Sequence, residues 1–190
     1  MHDREEVQAA FEQWWAVGNA GEDWTGWVDL FTDDVQYLDH FWGPLRGHRE
    51  VDVWIHAVMK GVPEIYGVYE WHAIDGDRVV FHYQNRRDHP TDADAWFDFA
   101  GLSVVTYAGD GRWSSEEDFW DANGARRTAK AYAEACRTAD VEPSISRRHW
   151  GDGPTWTIGP ATPSPSWLGR DDVRAITRPS ELVALLDEHA

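Results

Sequence analysis

Pairs of ionisable or hydroxyl side chains, spaced two residues apart, lie on three predicted strands. The pairs are Tyr37 with Asp39, Arg86 with Asp88, and Glu116 with Asp118. Side chains at this spacing point to the same face of a strand. Two carboxyl groups with different pKa values can act as a proton donor and a general base. The pattern therefore predicts acid–base chemistry in a cavity on one face of a sheet.

The sequence lacks the motifs of the common nucleophilic and metal-dependent alternatives. It has one cysteine, Cys136, and neither a His-Glu-x-x-His nor a Gly-x-Ser-x-Gly motif. His72 and His82 lie on adjacent predicted strands, but two histidines without a third ligand make a weak metal site. We therefore expect no metal and no cofactor.

The strand predicted over 78–88 has a polar face, which carries His82, Gln84, Arg86 and Asp88. Such a stripe either faces solvent or lines a polar cavity. A lone Arg-x-Asp pair is more often a surface ion pair. The pairs at Tyr37/Asp39 and at Asp118 favour the cavity, and His82 would then lie in it as well.

The composition restricts the partners. Among 190 residues there are 17 Lys and Arg against 34 Asp and Glu, a formal charge of −17. So acidic a chain repels nucleic acid and anionic membranes. No apolar run approaches the ~20 residues of a membrane span, and the start Met1-His2-Asp3-Arg4 lacks the order of a signal peptide. We expect a cytoplasmic protein.

Thirteen tryptophans supply apolar surface despite the charge. Trp14 and Trp54 lie on apolar faces of predicted helices, and we place Trp120 near the mouth of the cavity. Together they predict aromatic walls around a small hydrophobic substrate. The predicted substrate contacts are Trp14, Trp54, His56, His82 and Trp120.

Hydrophobic periodicity predicts an α+β fold. Three N-terminal helices carry apolar faces, the second including Phe31, and the third follows a loop at 43–47. Strands are predicted at Val35–Asp39 and at about 67–74, 78–88, 95–107 and 112–121, followed by a helix at 124–139. We assign residues 1–140 to one domain. Residues 141–190 form a Pro-, Gly- and Trp-containing strap that ends in a short helix at about 179–188.

The order of these elements resembles the nuclear transport factor 2-like, or SnoaL-like, superfamily over about residues 5–121. The motifs are Trp14-Trp15-Ala16-Val17-Gly18-Asn19-Ala20-Gly21, Leu30-Phe31-Thr32-Asp33-Asp34-Val35, Gly43 with Gly47, and the strand Trp113 to Asp121. The resemblance implies a cone-shaped, curved, mostly antiparallel sheet wrapped by the three helices. It also implies a homodimer through the outer face of the sheet.

Within that superfamily, the catalytic positions resemble limonene-1,2-epoxide hydrolase. The resemblance implies that Asp118 is the general base on water and that Asp88 protonates the epoxide. Arg86 would bridge the two carboxylates, and Tyr37 would position the water. Asp39 stands where that enzyme has an asparagine. A carboxylate cannot donate the amide hydrogen bond, so the water would be oriented differently or Asp39 would hold a proton.

Two alternatives remain open. A SnoaL-like cyclase, isomerase or dehydratase would use the same carboxylates. Asp39 also falls where ketosteroid isomerases keep their base, but Trp14 and Ser103 stand at the oxyanion-donor positions, so Tyr37 or His56 would have to donate. The other class is a non-catalytic module that binds a small ligand.

Overall fold

In the computed structural model, which describes residues 1–143, 145 and 148–190, helices cover one face of a curved sheet. The helices are α1 (Arg4–Trp15), α2 (Trp24–Val28), α3 (Gly47–Gly61), α4 (Ala122–Ala139) and α5 (Pro179–Glu188). The strands are β1 (Phe31–Asp39), β2 (Gly43–Arg46), β3 (Tyr66–Asp75), β4 (Arg78–Asp88), β5 (Trp96–Gly109) and β6 (Arg112–Trp120). The predicted α+β cone is confirmed.

The described strands form one sheet in the order β2-β1-β6-β5-β4-β3. Only the β1–β6 pair among them is parallel, and it sets Tyr37 beside Glu116 and Asp39 beside Asp118. The antiparallel β5–β6 pair sets Ser103 beside Asp118. Neighbours in register share a face, so these side chains converge on the concave side of the sheet.

Helix α1 follows its N-cap residue Asp3, whose side chain accepts a hydrogen bond from the Glu5 N–H, and it buries Phe11 and Trp14 against the sheet. It continues into a π-helical turn at Ala16–Ala20, where the Gly21 N–H donates to the Ala16 carbonyl at 2.9 Å. Hydrogen bonds between residues five positions apart, which define a π-helical turn, widen the helix locally and often occur at functional sites. The turn ends the helix beside the strand β3.

Two predicted boundaries are wrong. Phe31 belongs to β1 and not to the second helix, because its backbone pairs with Trp113 of β6. The predicted loop at 43–47 contains β2, which pairs with the end of β1. Four residues that include a glycine and a proline give no readable alternation.

Residues 148–178 cross the helical layer as a strap that leads to α5. The Arg148 guanidinium makes a buried ion pair with Glu22 and also donates to the Glu64 carbonyl. Further along, the Ile176 N–H donates to the Ala57 carbonyl of α3. Across the described ranges, no helix is both long and apolar enough to cross a bilayer.

Candidate active site

A cavity of about 590 Å³ lies between the concave face of the sheet and the helices. Its aromatic walls come from α1, α2, α3 and the loop after β1, namely Trp14, Trp24, Trp27, Trp42 and Trp54. Trp120 lines it from β6, and Ile176 of the strap closes one side. A mostly apolar cavity with a few polar groups is the usual form of a small-molecule site.

The floor of the cavity is a cluster of carboxyl and hydroxyl groups on adjacent strands. Asp118 lies at its centre and accepts hydrogen bonds from the Tyr37 hydroxyl on one oxygen and the Ser103 hydroxyl on the other. The Glu116 carboxyl is also in hydrogen-bonding contact with Asp118. Asp118 and Glu116 are 7% and 4% exposed. Both carboxyl groups are therefore removed from bulk water.

Burial and mutual repulsion raise both pKa values in this cluster. Burial, followed by the charge of Asp39, raises the pKa of Asp118 to about 6. Burial and then the charge of Asp118 raise the pKa of Glu116 further above its usual range. Among the described residues, no Arg or Lys pairs with either group. Near neutral pH the two buried groups therefore share one proton. The two hydroxyl donors on Asp118 favour its charged form, so we assign the proton to Glu116 and the proton-accepting role to Asp118.

Tyr83 extends the hydroxyl cluster from β4. Its hydroxyl is 3.5 Å from the Ser103 hydroxyl. The ring lies across the neighbouring strand over Gly101, where an added Cβ would be 2.5 Å from the Tyr83 Cζ atom. Burial raises the pKa values of Tyr37 and Tyr83 well above their usual range, so both are neutral donors.

Asp39 lies at the edge of the floor, and its oxygens are used by the protein. One accepts the Phe41 and Trp42 N–H groups at 2.7 and 2.8 Å, and the other accepts the Trp120 indole N–H at 3.1 Å. Burial raises the pKa of Asp39, while these bonds oppose the rise. The residue thus organises the loop after β1 and adds negative charge near Asp118.

The predicted face of β4 is wrong. Arg86 and Asp88 lie on the outer side of the sheet and not in the cavity. Arg86 makes a bidentate pair with Asp98, at 2.9 and 2.6 Å, and Asp88 accepts a hydrogen bond from Tyr66 at 2.7 Å. The bridged Asp-Arg-Asp arrangement is therefore not formed. Alternation defines two faces, and here the more apolar one turns inward.

Both predicted substrate-binding histidines also lie outside the cavity. His82 is on the outer face, where its Nδ1 atom is 2.6 Å from a Glu70 oxygen. His56 is fully buried between α2, α3 and the strap, within 3.2 Å of the Thr25 and Ser166 hydroxyls. Each has a structural partner in place of a ligand. The predicted Trp14, Trp54 and Trp120 do line the cavity.

The inward face of β4 brings in residues that the sequence analysis missed. Tyr83, Asn85 and Arg87 line the cavity from β4, and Ser103 lines it from β5. Arg87 lies near α4, where it donates to Glu64 at 2.9 Å and to Thr128 at 3.1 Å. The position of Ser103 could have been found from its pairing with Asp118. Among the described residues, no group of three His, Cys, Asp or Glu is arranged to hold a metal ion.

Solved structures with the same fold come from several bacteria. A hypothetical protein with a ketosteroid isomerase-like fold from Catenulispora acidiphila, in complex with trimethylamine, is 17% identical, with a TM-score of 0.53, covering 66% of this chain and 92% of that chain. A protein provisionally named a SnoaL-like polyketide cyclase, from Jannaschia sp. CCS1, is 19% identical, with a TM-score of 0.54, covering 69% and 99%. A protein provisionally named an isomerase, from Bacillus subtilis, is 14% identical, with a TM-score of 0.53, covering 68% and 96%.

At these identities the likeness shows the fold alone. No curated protein sequence matches the chain. The model of the SnoaL-like domain matches residues 7–116, which is more than half of the sequence. It covers the helices that wall the cavity and the strands up to Glu116. The chain therefore belongs to the SnoaL-like family.

Proposed function

We propose that the protein is a cofactor-independent acid–base enzyme that moves a proton within a small apolar substrate bearing a carbonyl group. The reaction would be an isomerisation or an intramolecular cyclisation of a terpenoid- or polyketide-like molecule. The observation that carries this proposal is the buried Glu116–Asp118 pair, which lacks a cationic partner among the described residues and lies in an aromatic cavity. Such a pair holds one proton and offers one base.

The steps follow from the protonation states. The Asp118 carboxylate takes a proton from the carbon beside the carbonyl, and the electron pair moves onto the carbonyl oxygen. The protonated Glu116 donates a hydrogen bond to that oxygen. The neutral Tyr37 hydroxyl, which donates to Asp118 in the free protein, can turn to the same oxygen once Asp118 has taken the proton. In an isomerisation Asp118 returns its proton to a different carbon; in a cyclisation the enolate carbon bonds to a second carbonyl carbon, whose oxygen takes the proton.

The names given to two of the proteins of similar fold support this reaction class. One is named provisionally as a polyketide cyclase and another as an isomerase. Both reactions begin with the formation of an enolate or its equivalent. This chain has a base and neutral donors on adjacent strands of the same fold, as that step requires.

Epoxide hydration has weaker support, because its proposed proton donor, Asp88, and the bridging Arg86 lie on the outer face. Glu116 would have to protonate the epoxide while Asp118 activates a water molecule. Incubation with limonene oxide in ¹⁸O-labelled water tests this alternative. Formation of labelled diol that depends on Asp118 would favour hydration over proton transfer within the substrate.

The proposal is tested by hydrogen–deuterium exchange beside the carbonyl of 1-tetralone, followed by NMR in deuterated buffer. We expect the wild-type protein to accelerate exchange and Asp118→Asn to lower the rate by about 10²–10⁴-fold, the usual contribution of a general base. Binding of 1-tetralone should persist, because the amide has nearly the same shape. Glu117→Gln is the matched control, since Glu117 pairs with His40 on the outer face.

Equal exchange rates for Asp118→Asn and the wild type would overturn the assignment of the base. Tight binding of the ketone by the wild type without accelerated exchange would instead identify a ligand-binding module.

The pH dependence of exchange is a second test. Because the pKa of Asp118 is raised to about 6, the carboxylate is lost as the pH falls through that value. We expect a flat rate above about pH 7 and a tenfold loss for each unit below about pH 5, as for one ionising base. A rate that stays flat down to pH 4 would contradict Asp118 as the base.

A further inference from the structure

Two asparagines line the cavity away from the carboxyl floor and leave their amides unused. Asn19 is at the end of the π-helical turn, and Asn85 is on β4. Over the described part of the chain, neither side chain makes a hydrogen bond to the protein, although both are half-buried. Both amides therefore line the cavity with donors and acceptors that no described protein group occupies, so they are suited to bind a polar group on a ligand.

The backbone brings the two amides together over Gly67. The antiparallel β3–β4 pair sets Gly67 beside Asn85, so both face the same side of the sheet. The Asn19 side chain occupies the space above the glycine, because an added Cβ at Gly67 would be 2.6 Å from the Asn19 Oδ1 atom. The absence of a side chain at Gly67 therefore leaves room for the Asn19 amide beside Asn85.

The subsite is well separated from Asp118. Asp118 pairs with Ser103, which pairs with Phe81 on β4, and Asn85 lies four residues further along that strand. At about 3.3 Å per residue and about 4.8 Å per strand, the two Cα positions are roughly 16 Å apart. Asp118 and the two asparagines line the same cavity, so one elongated molecule can contact both groups.

We propose that Asn19 and Asn85 form a second polar subsite, which binds a hydroxyl or carbonyl oxygen at the far end of the substrate. This inference rests on the proposed function, since it takes the carboxyl floor as the site of the reacting group. Amides are neutral and offer both donors and acceptors. They therefore select an uncharged oxygen function over a carboxylate or an ammonium group. The substrate class becomes an elongated apolar molecule with oxygen at both ends.

The test compares two rigid probes by isothermal titration calorimetry. These are 4-hydroxybiphenyl and 4,4′-dihydroxybiphenyl, which differ in one hydroxyl at the far end. We expect the wild-type protein to bind the diol about 3- to 10-fold more tightly, the usual gain from one neutral hydrogen bond. Asn19→Leu and Asn85→Leu should each reduce this preference and keep the affinity for 4-hydroxybiphenyl.

Gln84→Leu is the matched control, because Gln84 is the neighbour of Asn85 on β4 but bonds to Glu70 on the outer face. It should keep the full preference for the diol. Gly67→Ala keeps both asparagines in the sequence, but its added methyl group displaces the Asn19 side chain. This variant should therefore also lower the preference for the diol.

Equal affinity of the wild type for the two probes would overturn the subsite without any variant. Persistence of the preference in both leucine variants would also overturn it. These measurements use binding alone. Failure of the proposed function would appear separately, as ketone exchange that does not depend on Asp118.

Discussion

Two aspartates, one buried on the cavity floor and one half-buried beneath the strap, have pKa values that are shifted in opposite directions. Burial and the charge of Asp39 raise the pKa of Asp118 to about 6. Burial also acts to raise the pKa of Asp52, but hydrogen bonds from His56 and Arg170 prevail and lower it to about 2. The Arg170 guanidinium is 2.8 Å from Asp52. The supply of a cation, and not burial alone, separates the two groups.

The difference shows which acidic groups have a cationic partner and which are placed close to other acidic groups without one. Beneath the strap Asp52 pairs with Arg170, and on the outer face Asp98 pairs with Arg86. On the cavity floor Asp39, Glu116 and Asp118 repel one another. Over the described part of the chain, the groups that donate hydrogen bonds to Asp39 and Asp118 are hydroxyl, indole and backbone N–H groups. A cation beside a carboxylate keeps it charged, whereas the carboxyl pair Glu116–Asp118, which has no such neighbour among the described residues, holds a proton that can be exchanged.

The largest expected effect comes from breaking the Arg148–Glu22 pair. These side chains are 0% and 1% exposed. Arg148→Met leaves Glu22 buried without its partner, so we expect a loss of about 3–5 kcal/mol in the free energy of unfolding, measured by urea denaturation. The double variant with Glu22→Gln should recover part of that loss. A loss below about 1 kcal/mol for the single variant would show that the strap is held mainly by its apolar contacts.

The next largest effect is the pH dependence of the free energy of unfolding that Glu116 on the cavity floor causes. Because the pKa of Glu116 is raised, the native state keeps a proton that the unfolded state releases above about pH 4.5. The free energy of unfolding therefore falls as the pH rises above that value, by up to about 1.4 kcal/mol per unit for this group. Glu116→Gln should flatten this decline in urea denaturation series from pH 5 to 8.

Asp52 contributes with the opposite sign, in a lower window. Its lowered pKa stabilises the native state above about pH 3.8, and that contribution is lost as the pH falls towards 2. Glu116→Gln should leave this acid limb unchanged. An unchanged slope between pH 5 and 8 in that variant would contradict the protonated state of Glu116.

The smallest effect concerns the outer face. Arg86→Met removes the bidentate bond to Asp98 and the bond to the His149 carbonyl. We expect a loss of about 1–3 kcal/mol in stability, because charged partners are left unsatisfied, and an unchanged rate of 1-tetralone exchange. If the folded variant lost exchange as completely as Asp118→Asn, Arg86 would belong to the reaction after all.

Most of the framework could be predicted from the sequence. The four long strands begin and end within two residues of the prediction, and α5 occupies the predicted range 179–188. Long alternating runs, and the compact turns at Asp75-Gly76-Asp77 and Gly109-Asp110-Gly111, give strong local information. The parallel pairing of β1 with β6 depends on contacts distant in sequence, and it brings Tyr37 and Asp39 to the carboxyl pair.

The face of β4 could not be predicted in the same way. Alternation shows that Tyr83 shares a face with Arg87 and that Arg86 shares one with Asp88, but not which face is covered by the helices. The outer end of β4 is also buried, because His149 of the strap lies against Arg86 and Asp88. Because both faces of β4 are buried at this end, residue type does not distinguish a polar, solvent-exposed face from an apolar, core-facing one. On β6 the same reasoning placed Glu116, Asp118 and Trp120 together.

The strap has a consequence for the order of events during synthesis. Ile176 and Thr177 line the cavity, although both are added well after the last strand of the sheet, which ends at Trp120. A nascent chain can pair its strands and stack its tryptophans while that side is still open to water. The side of the cavity that Ile176 and Thr177 line closes only when residues 148–177 have been synthesised and have docked on the helices. All strands of the described sheet are complete before that closing segment exists.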